Sequence, residues 1–248
     1  MQKIKVQIYS DIHLEFSNKL PKIKPLCDYL ILAGDIGKIN NNQLIYFLDY
    51  CSQNWEKVFY VLGNHEFYIK NLNFTKINEM YKKKITEKYT NVYYLDDGVN
   101  ILNHDINIYG STLWTPSVDD DRLNDYNYID RDVVNALAKI QKHKLNKYLN
   151  ETNKKTIIVT HFPPTQINTS DPIYKNQSEH IKDYFAHKNI LNELKLDNVI
   201  CWISGHTHYS YDFKENNIRC ISNQVGYKKE LVTGVSKLNI DGLYEIEY

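Results

Sequence analysis

Val58-Phe59-Tyr60-Val61-Leu62-Gly63-Asn64-His65-Glu66, residues 58–66, joins a short apolar run to a glycine and three polar residues. A brief run of β-branched and aromatic residues ending at a glycine reads as a strand covered on both faces. An amide, an imidazole and a carboxylate follow it. In open α/β sheets, ligands bind beyond the carboxyl ends of the strands, so these groups stand where a site would form.

The same arrangement recurs outward in both directions. Lys5–Tyr9 leads into Asp11-Ile12-His13, Tyr29–Ala33 into Gly34-Asp35, Thr156–Val159 into His161, and Val199–Ile203 into Gly205-His206-Thr207-His208. Together the motifs supply two Asp, one Asn and five His. Asp11 with His13, and His206 with His208, are two residues apart. In extended backbone such pairs project to one side, so each is expected to aim two ligands at one point. Glycines 34, 63 and 205 allow sharp turns and close approach. Taken singly, Asp11-Ile12-His13 and Gly34-Asp35 are weak signals; in order, on strand ends, the set points to two divalent metal ions held side by side. Oxygen and imidazole donors suit Mn²⁺ foremost, with Fe, Zn²⁺ or Ni²⁺ also in keeping. The absence of thiolates from the motifs argues against a structural cysteine–zinc site.

Such a centre fits hydrolytic phosphate chemistry. Two metals about 3.5–4 Å apart can hold a bridging hydroxide and clamp phosphoryl oxygens. Phosphate-monoester hydrolysis calls for accelerations approaching ~10²¹, far beyond the roughly 10²–10⁴ of a lone acid–base group.

This series of motifs resembles that of the calcineurin-like metallophosphoesterases: D-x-H, G-D, G-N-H-[DE], a lone His and G-H-x-H. The resemblance spans residues 11 to 208 and implies roles. Asp11, His13 and His208 would bind one metal, Asn64, His161 and His206 the other, and Asp35 would bridge both. His65 would stand beside the substrate as acid or electrostatic stabiliser, so that His65 and Asp35 carry the catalysis. Gly63–Tyr68, Gly110–Thr115 and Asn124-Asp125-Tyr126 also look like a subgroup of small single-domain members of unassigned substrate. That subgroup usually reads N-P-R-G-Y where this chain has Asn223-Gln224-Val225-Gly226-Tyr227. Val225 in place of arginine puts any phosphate clamp there in doubt.

The 248 residues, with 42% hydrophobic and 13% aromatic residues, suffice for one α/β domain spanning 1–248. The 21 tyrosines, beside abundant Asn, Lys and Ile, read first as a bias toward AT-rich codons. Thirty basic and thirty acidic residues cancel, which argues against an extended nucleic-acid surface. No apolar stretch reaches the ~18–20 residues of a membrane span. Met1-Gln2-Lys3 runs straight into a strand, and Cys27, Cys51, Cys201 and Cys220 lack C-x-x-C spacing. A reduced, cytoplasmic setting is therefore expected.

Helices are expected over 41–54, 73–89, 131–150 and 179–195. Shorter strands are expected at Val92–Leu95, Asn100–Leu102, Ile106–Gly110, 209–213, 218–222, 235–240 and 243–247, the last four pairing antiparallel. Two packed sheets with helices outside is the resulting architecture, a four-layer αββα sandwich of two mixed β-sheets. The loops 115–130 and 163–177 are expected to shape a mouth over the metals, with Asn124, Asp125, Tyr126, His180 and His187 as candidate substrate contacts. Lys82-Lys83-Lys84 reads as a solvated helix face.

The leading function is a metal-dependent phosphoesterase of small phosphate esters, diesters slightly ahead of monoesters. A protein serine/threonine phosphatase is disfavoured because Gly34-Asp35-Ile36-Gly37-Lys38 lacks the arginine those enzymes carry shortly after the bridging Asp. A nuclease is disfavoured by charge, and a silent scaffold by the complete ligand set.

Overall fold

The computed structural model describes residues 2–17, 20–233 and 237–248. One sheet is built from β1 (Lys3–Tyr9), β2 (Tyr29–Ala33), β3 (Lys57–Val61), β4 (Val92–Tyr94) and β11 (Leu243–Glu247), in the order β11-β1-β2-β3-β4. The other holds β5 (Gly98–Ile101), β6 (Ile106–Ser111), β7 (Lys155–Thr160), β8 (Val199–Ile203), β9 (Tyr211–Glu215) and β10 (Ile218–Ser222), in the order β5-β6-β7-β8-β10-β9. The central strands are parallel and the edge strands β11, β5 and β9 antiparallel. The helices are α1 (Asn42–Asn54), α2 (Phe74–Lys88), α3 (Arg131–Glu151), α4 (Glu179–Phe185) and α5 (Lys228–Thr233).

Strand alternation builds the layers. Ile31, Ala33, Phe59 and Val61 from the first sheet meet Ile106, Ile108, Ile157 and Val159 from the second in a core between the sheets. Their neighbours Leu30, Leu32, Val58 and Tyr60 face outward onto Leu44, Phe47 and Leu48 of α1 and Ile77, Tyr81 and Ile85 of α2. On the far side Ile158 and Trp202 pack with Leu145 and Leu149 of α3. The four-layer αββα sandwich is thus as expected, because a strand buried on both faces reads as an unbroken apolar run. Side chains of Asn41, Asn73 and Asp130 cap α1, α2 and α3 by accepting backbone N–H bonds. Lys82, Lys83 and Lys84 are exposed.

Three local expectations need correction. The helix expected over 179–195 stops at Phe185 and is followed only by a 3-10 turn at Ile190–Asn192. The backbone N–H groups of His187 and Ile190 donate instead to the carbonyls of Pro163 and Pro164 (3.1 and 2.9 Å), which pulls the chain out of helical register. Of the strand expected at 235–240, residues 235 and 236 lie outside the described residues. Residues 237–240 form none: Lys237 has φ 46°, and the N–H of Asn239 bonds to the side chain of Asn223. Finally, β9 and β10 pair antiparallel, but β10 runs parallel to β8, and β11 crosses to the other sheet and pairs with β1.

Candidate metal centre

All five motifs follow the carboxyl ends of parallel strands, and backbone hydrogen bonds fasten their loops together. The N–H groups of Asp11 and His13 donate to the carbonyls of Gly34 and Asp35 (3.0 and 2.9 Å), that of Gly205 to His161 (2.9 Å), and that of Gly226 to Asp11 (2.9 Å). Asp11, His13, Asp35, His206 and His208 have φ of 55°, 51°, 54°, 78° and 54°. These left-handed conformations cost of order 1–3 kcal/mol each in non-glycine residues and gather at functional sites. They also correct the extended-strand expectation: Asp11 and His13 converge through tight left-handed turns, but His206 and His208 part, one to each ligand group. At Gly63 an added Cβ would collide with the Asp35 carboxylate, so only glycine fits there.

Three groups of ligand atoms result. Asp11, His13 and His208 lie within 4.8 Å of one another, as do Asp35, His161 and His206, and so do His13, Glu15 and His65, which overlap the first group at His13. In the first, His13 Nε2 is 3.0 Å from His208 Nε2, which is 3.6 Å from Asp11 Oδ1. In the second, His161 Nε2 is 3.0 Å from Asn64 Oδ1 and 3.4 Å from Asp35 Oδ2. Asp35 Oδ2 is also 3.9 Å from His13 Nε2, so one carboxylate oxygen faces both of these groups. Its other oxygen accepts the backbone N–H of His65 (2.8 Å). All seven expected ligands are therefore brought together, and His65 stands outside the first two groups, beside His13 and Glu15 in the third.

The donor chemistry fits cations. His161 Nδ1 lies 3.0 Å from the carbonyl of Ala33, which can only accept, so this nitrogen carries the ring proton. His13 Nδ1 faces Glu15 (3.3 Å) and His208 Nδ1 faces Glu230 (2.7 Å). Each ring is held in the manner common for metal-bound histidines, with Nε2 left to ligate. Nε2 of His13 and Nε2 of His208 thus point at each other, and Nε2 of His161 points at an amide oxygen, a convergence that fits a cation able to displace their protons. His206 Nε2 is buried without a partner. Burial, then the neighbouring His161 charge, holds the His206 imidazole well below its ordinary range and so leaves its lone pair free. Burial opposes ionisation of Asp35, yet the charges of His161 and His65 hold its carboxyl well below the usual range.

Several contributing residues had no assigned role in the sequence. Glu15 Oε1 contacts Nδ1 of both His13 and His65 (3.3 and 3.2 Å). Its i+2 spacing after Asp11 and His13 was the available signal. Burial pushes its carboxyl up, but the two imidazoles outweigh this and hold it at about 2. Burial likewise works against protonated His65, and the Asp35 and Glu15 charges more than compensate, so its pKa is raised. Glu66 is fully buried and accepts from the N–H groups of Asp35 (3.0 Å), Ile36 (2.7 Å), Gly37 (3.2 Å) and Gly63 (2.7 Å) and from the Tyr60 hydroxyl (2.8 Å). It thus fastens the loop that carries Asp35 to the loop that carries Asn64.

Other candidates lie elsewhere. Asp125 is buried against Asn64 rather than open to a substrate. The Tyr126 hydroxyl accepts from Val118 N–H within its own loop, and Asn124 is exposed. His187 bonds to the carbonyl of Leu113, and burial lowers its pKa to about 4. His180 is exposed, 3.8 Å from Asp120. Among the described residues the rings around His206 are His161 and Phe162 (5.0 and 4.2 Å) and, from α4, Tyr184 and Phe185 (5.8 and 5.5 Å), with none from 163–177. In the segment with Val225, Tyr227 stacks on His13 (4.7 Å) and edges His208 (4.6 Å), so an aromatic face stands beside this group.

The sequence model of the calcineurin-like phosphoesterases matches residues 4–210. The chain belongs to this family, whose members hold divalent metal ions, and the first two ligand groups mark where such ions would sit. It is 30% identical over 259 residues to the uncharacterized protein L509 of Acanthamoeba polyphaga mimivirus, covering 89% of this chain and 90% of the relative. Its fold is similar to that of phosphopantetheinyl hydrolase from Mycobacterium tuberculosis (TM-score 0.70, 15% identity, 97% of this chain and 95% of the other). It is also similar to a dimetal phosphatase from Danio rerio (TM-score 0.55, 13% identity, 89% and 87%). At these identities the structural likeness concerns the fold. No helix among the described residues is long and apolar enough to cross a membrane.

Proposed function

We propose that this chain is a single-domain hydrolase of small phosphate esters, with diesters ahead of monoesters, that works with two divalent ions, Mn²⁺ foremost. The observation that carries the reading is Asp35 Oδ2, 3.4 Å from His161 Nε2 and 3.9 Å from His13 Nε2, facing the first two ligand groups at once. Asp11, His13 and His208 would hold one ion, Asn64, His161 and His206 the second, and Asp35 both. When bound, such ions neutralise phosphoryl oxygens and lower the pKa of water toward about 7.

The chain's own residues supply the rest. His65 has Nδ1 on Glu15 and its ring against Tyr68 (4.4 Å), which leaves Nε2 for the leaving oxygen. Burial disfavours the protonated ring, but the charges of Asp35 and Glu15 raise its pKa, the direction that protonation of an alkoxide requires. Diester preference is supported by the arginines. Arg122, Arg131 and Arg219 are the chain's three, and each is bound to aspartates: Asp120, Asp119 with Asp121, and Asp212. A monoester brings a second negative charge that no arginine stands ready to meet; a diester brings one. Neutral overall charge supports small esters over polymeric nucleic acid.

The test is hydrolysis of bis-nitrophenyl phosphate and nitrophenyl phosphate, with and without Mn²⁺. The reading expects metal-dependent turnover of both, faster for the diester. No metal-dependent turnover of either would overturn it, and a monoester preference would overturn the diester assignment.

A further inference from the structure

An asparagine side chain ends in an oxygen and an NH₂ group of nearly identical shape, but only the oxygen has a lone pair to offer a cation. Which end faces a site is decided by what the other end meets. Asn64 Nδ2 lies 2.8 Å from Asp125 Oδ1 and 2.9 Å from the Tyr68 hydroxyl oxygen. The Tyr68 hydroxyl donates its own proton to Asp125 Oδ1, so toward Asn64 it can only accept. Both partners are acceptors, and the NH₂ end must be the one that faces them. The carbonyl oxygen is then turned to His161 Nε2, 3.0 Å away. Asp125 is 1% exposed, so water does not compete for this pairing.

We propose that Asp125 is a positioning residue: it fixes the amide of Asn64 with its oxygen toward the second ion site. This gives a role to the Asn124-Asp125-Tyr126 motif that substrate contact does not. It rests on the reading of Asn64 as a ligand of that ion. The Asn64 and Tyr68 bonds both go to one oxygen, Asp125 Oδ1, so an amide at 125 could keep them; only a side chain with no acceptor, as in Asp125→Leu, leaves the Asn64 NH₂ without its carboxylate and the amide free to turn. An aspartate at 64 needs no such fixing, since either of its oxygens can face the site and the other can accept from the Tyr68 hydroxyl.

The test is calorimetric titration of the full chain with Mn²⁺, with elemental analysis and the melting temperature of the metal-free protein. Asp125→Leu, which removes the acceptor, should weaken binding of the second ion by about 10–100-fold, the usual effect of losing such a support, and leave the first ion's affinity unchanged. Asn64→Asp alone sets two carboxylates against each other and should also weaken the second ion. The double variant Asn64→Asp/Asp125→Leu should bind it nearly as the natural chain does, a recovery that general loosening of the loop would not give. Unchanged second-ion affinity in Asp125→Leu, or a double variant no better than either single one, overturns the inference. If Asp125→Leu does not fold, the double variant should fold and bind two ions; its failure to do so also overturns it. Asn64→Ala separates the two layers: undiminished second-ion affinity there would refute the ligand reading itself, whatever Asp125 does.

Discussion

Glu66 offers the most quantitative test of how the centre is held. Its Oε2 accepts from the N–H groups of Asp35 and Gly63, and its Oε1 from those of Ile36 and Gly37 and from the Tyr60 hydroxyl. In Glu66→Gln an NH₂ group replaces one of these oxygens. Whichever way the amide settles, at least two buried backbone donors lose their acceptor and face another donor. Burial and the Asp35 charge raise the Glu66 carboxyl to about 7, so it is charged above that pH. Hydrogen bonds to a charged group contribute about 1.5–3 kcal/mol each, so the loss there is about 3–6 kcal/mol. For a chain of this length each kcal/mol shifts Tm by about 2–4 °C, so Tm should fall by about 6–24 °C. Thermal unfolding of the metal-free protein, followed by circular dichroism, isolates this effect from metal binding. A Tm within about 2 °C of the natural chain would correspond to less than about 1 kcal/mol and would refute the view that this carboxylate fastens the Asp35 and Asn64 loops.

Other expected outcomes follow from the same geometry. His65→Ala should keep its metal content, measured by elemental analysis, while kcat on a diester with a poor leaving group falls by about 10²–10⁴. Loss of the metals would make His65 a ligand instead. Glu15→Gln removes the negative charge that His13 and His65 share while leaving an amide oxygen in its place. It should lower the pKa of His65, move the acid-requiring limb of the pH–kcat profile to lower pH, and weaken Mn²⁺ at the His13 group by about 10–100-fold. An unmoved limb would exclude Glu15 as the partner of His65. In the metal-free protein burial disfavours the imidazolium forms of His161 and His208, but Asp35 for the one, and Glu230 with Asp11 for the other, raise both above the ordinary histidine range. Both are thereby biased toward the protonated form, whose proton ligation must displace. Mn²⁺ binding should release protons, and apparent affinity should fall as pH falls; calorimetry in buffers of different ionisation enthalpy that detects proton uptake would contradict this.

What the sequence made legible was local. The apolar runs of β2, β3, β7 and β8 announce strands buried on both faces, and the polar residues just beyond them announce the site, since both signals lie within a few neighbouring residues. What stayed hidden depends on partners distant in the chain. Nothing near Glu179 tells that the Pro163 and Pro164 carbonyls will end α4 early, and nothing in 243–247 tells that its partner is β1. The left-handed turns at Asp11 and His206 were not legible either, because loop-to-loop bonds such as Asp11 N–H to Gly34 stabilise them. The same holds for the supports of the centre. Glu15 and Glu230 look like ordinary acidic residues, and Glu66 and Asp125 stand in motifs that do not tell their partners, until folding sets the four against His65, His208, Asp35 and Asn64.

The central claim is that two ions share Asp35. Equilibrium dialysis against Mn²⁺ followed by elemental analysis of the purified chain tests it most directly, with Asp35→Asn measured alongside. Two ions per chain in the natural sequence, and weakened binding of both in Asp35→Asn, are predicted. One ion or none at saturating Mn²⁺, or a substitution at Asp35 that weakens only one of two ions, would contradict it.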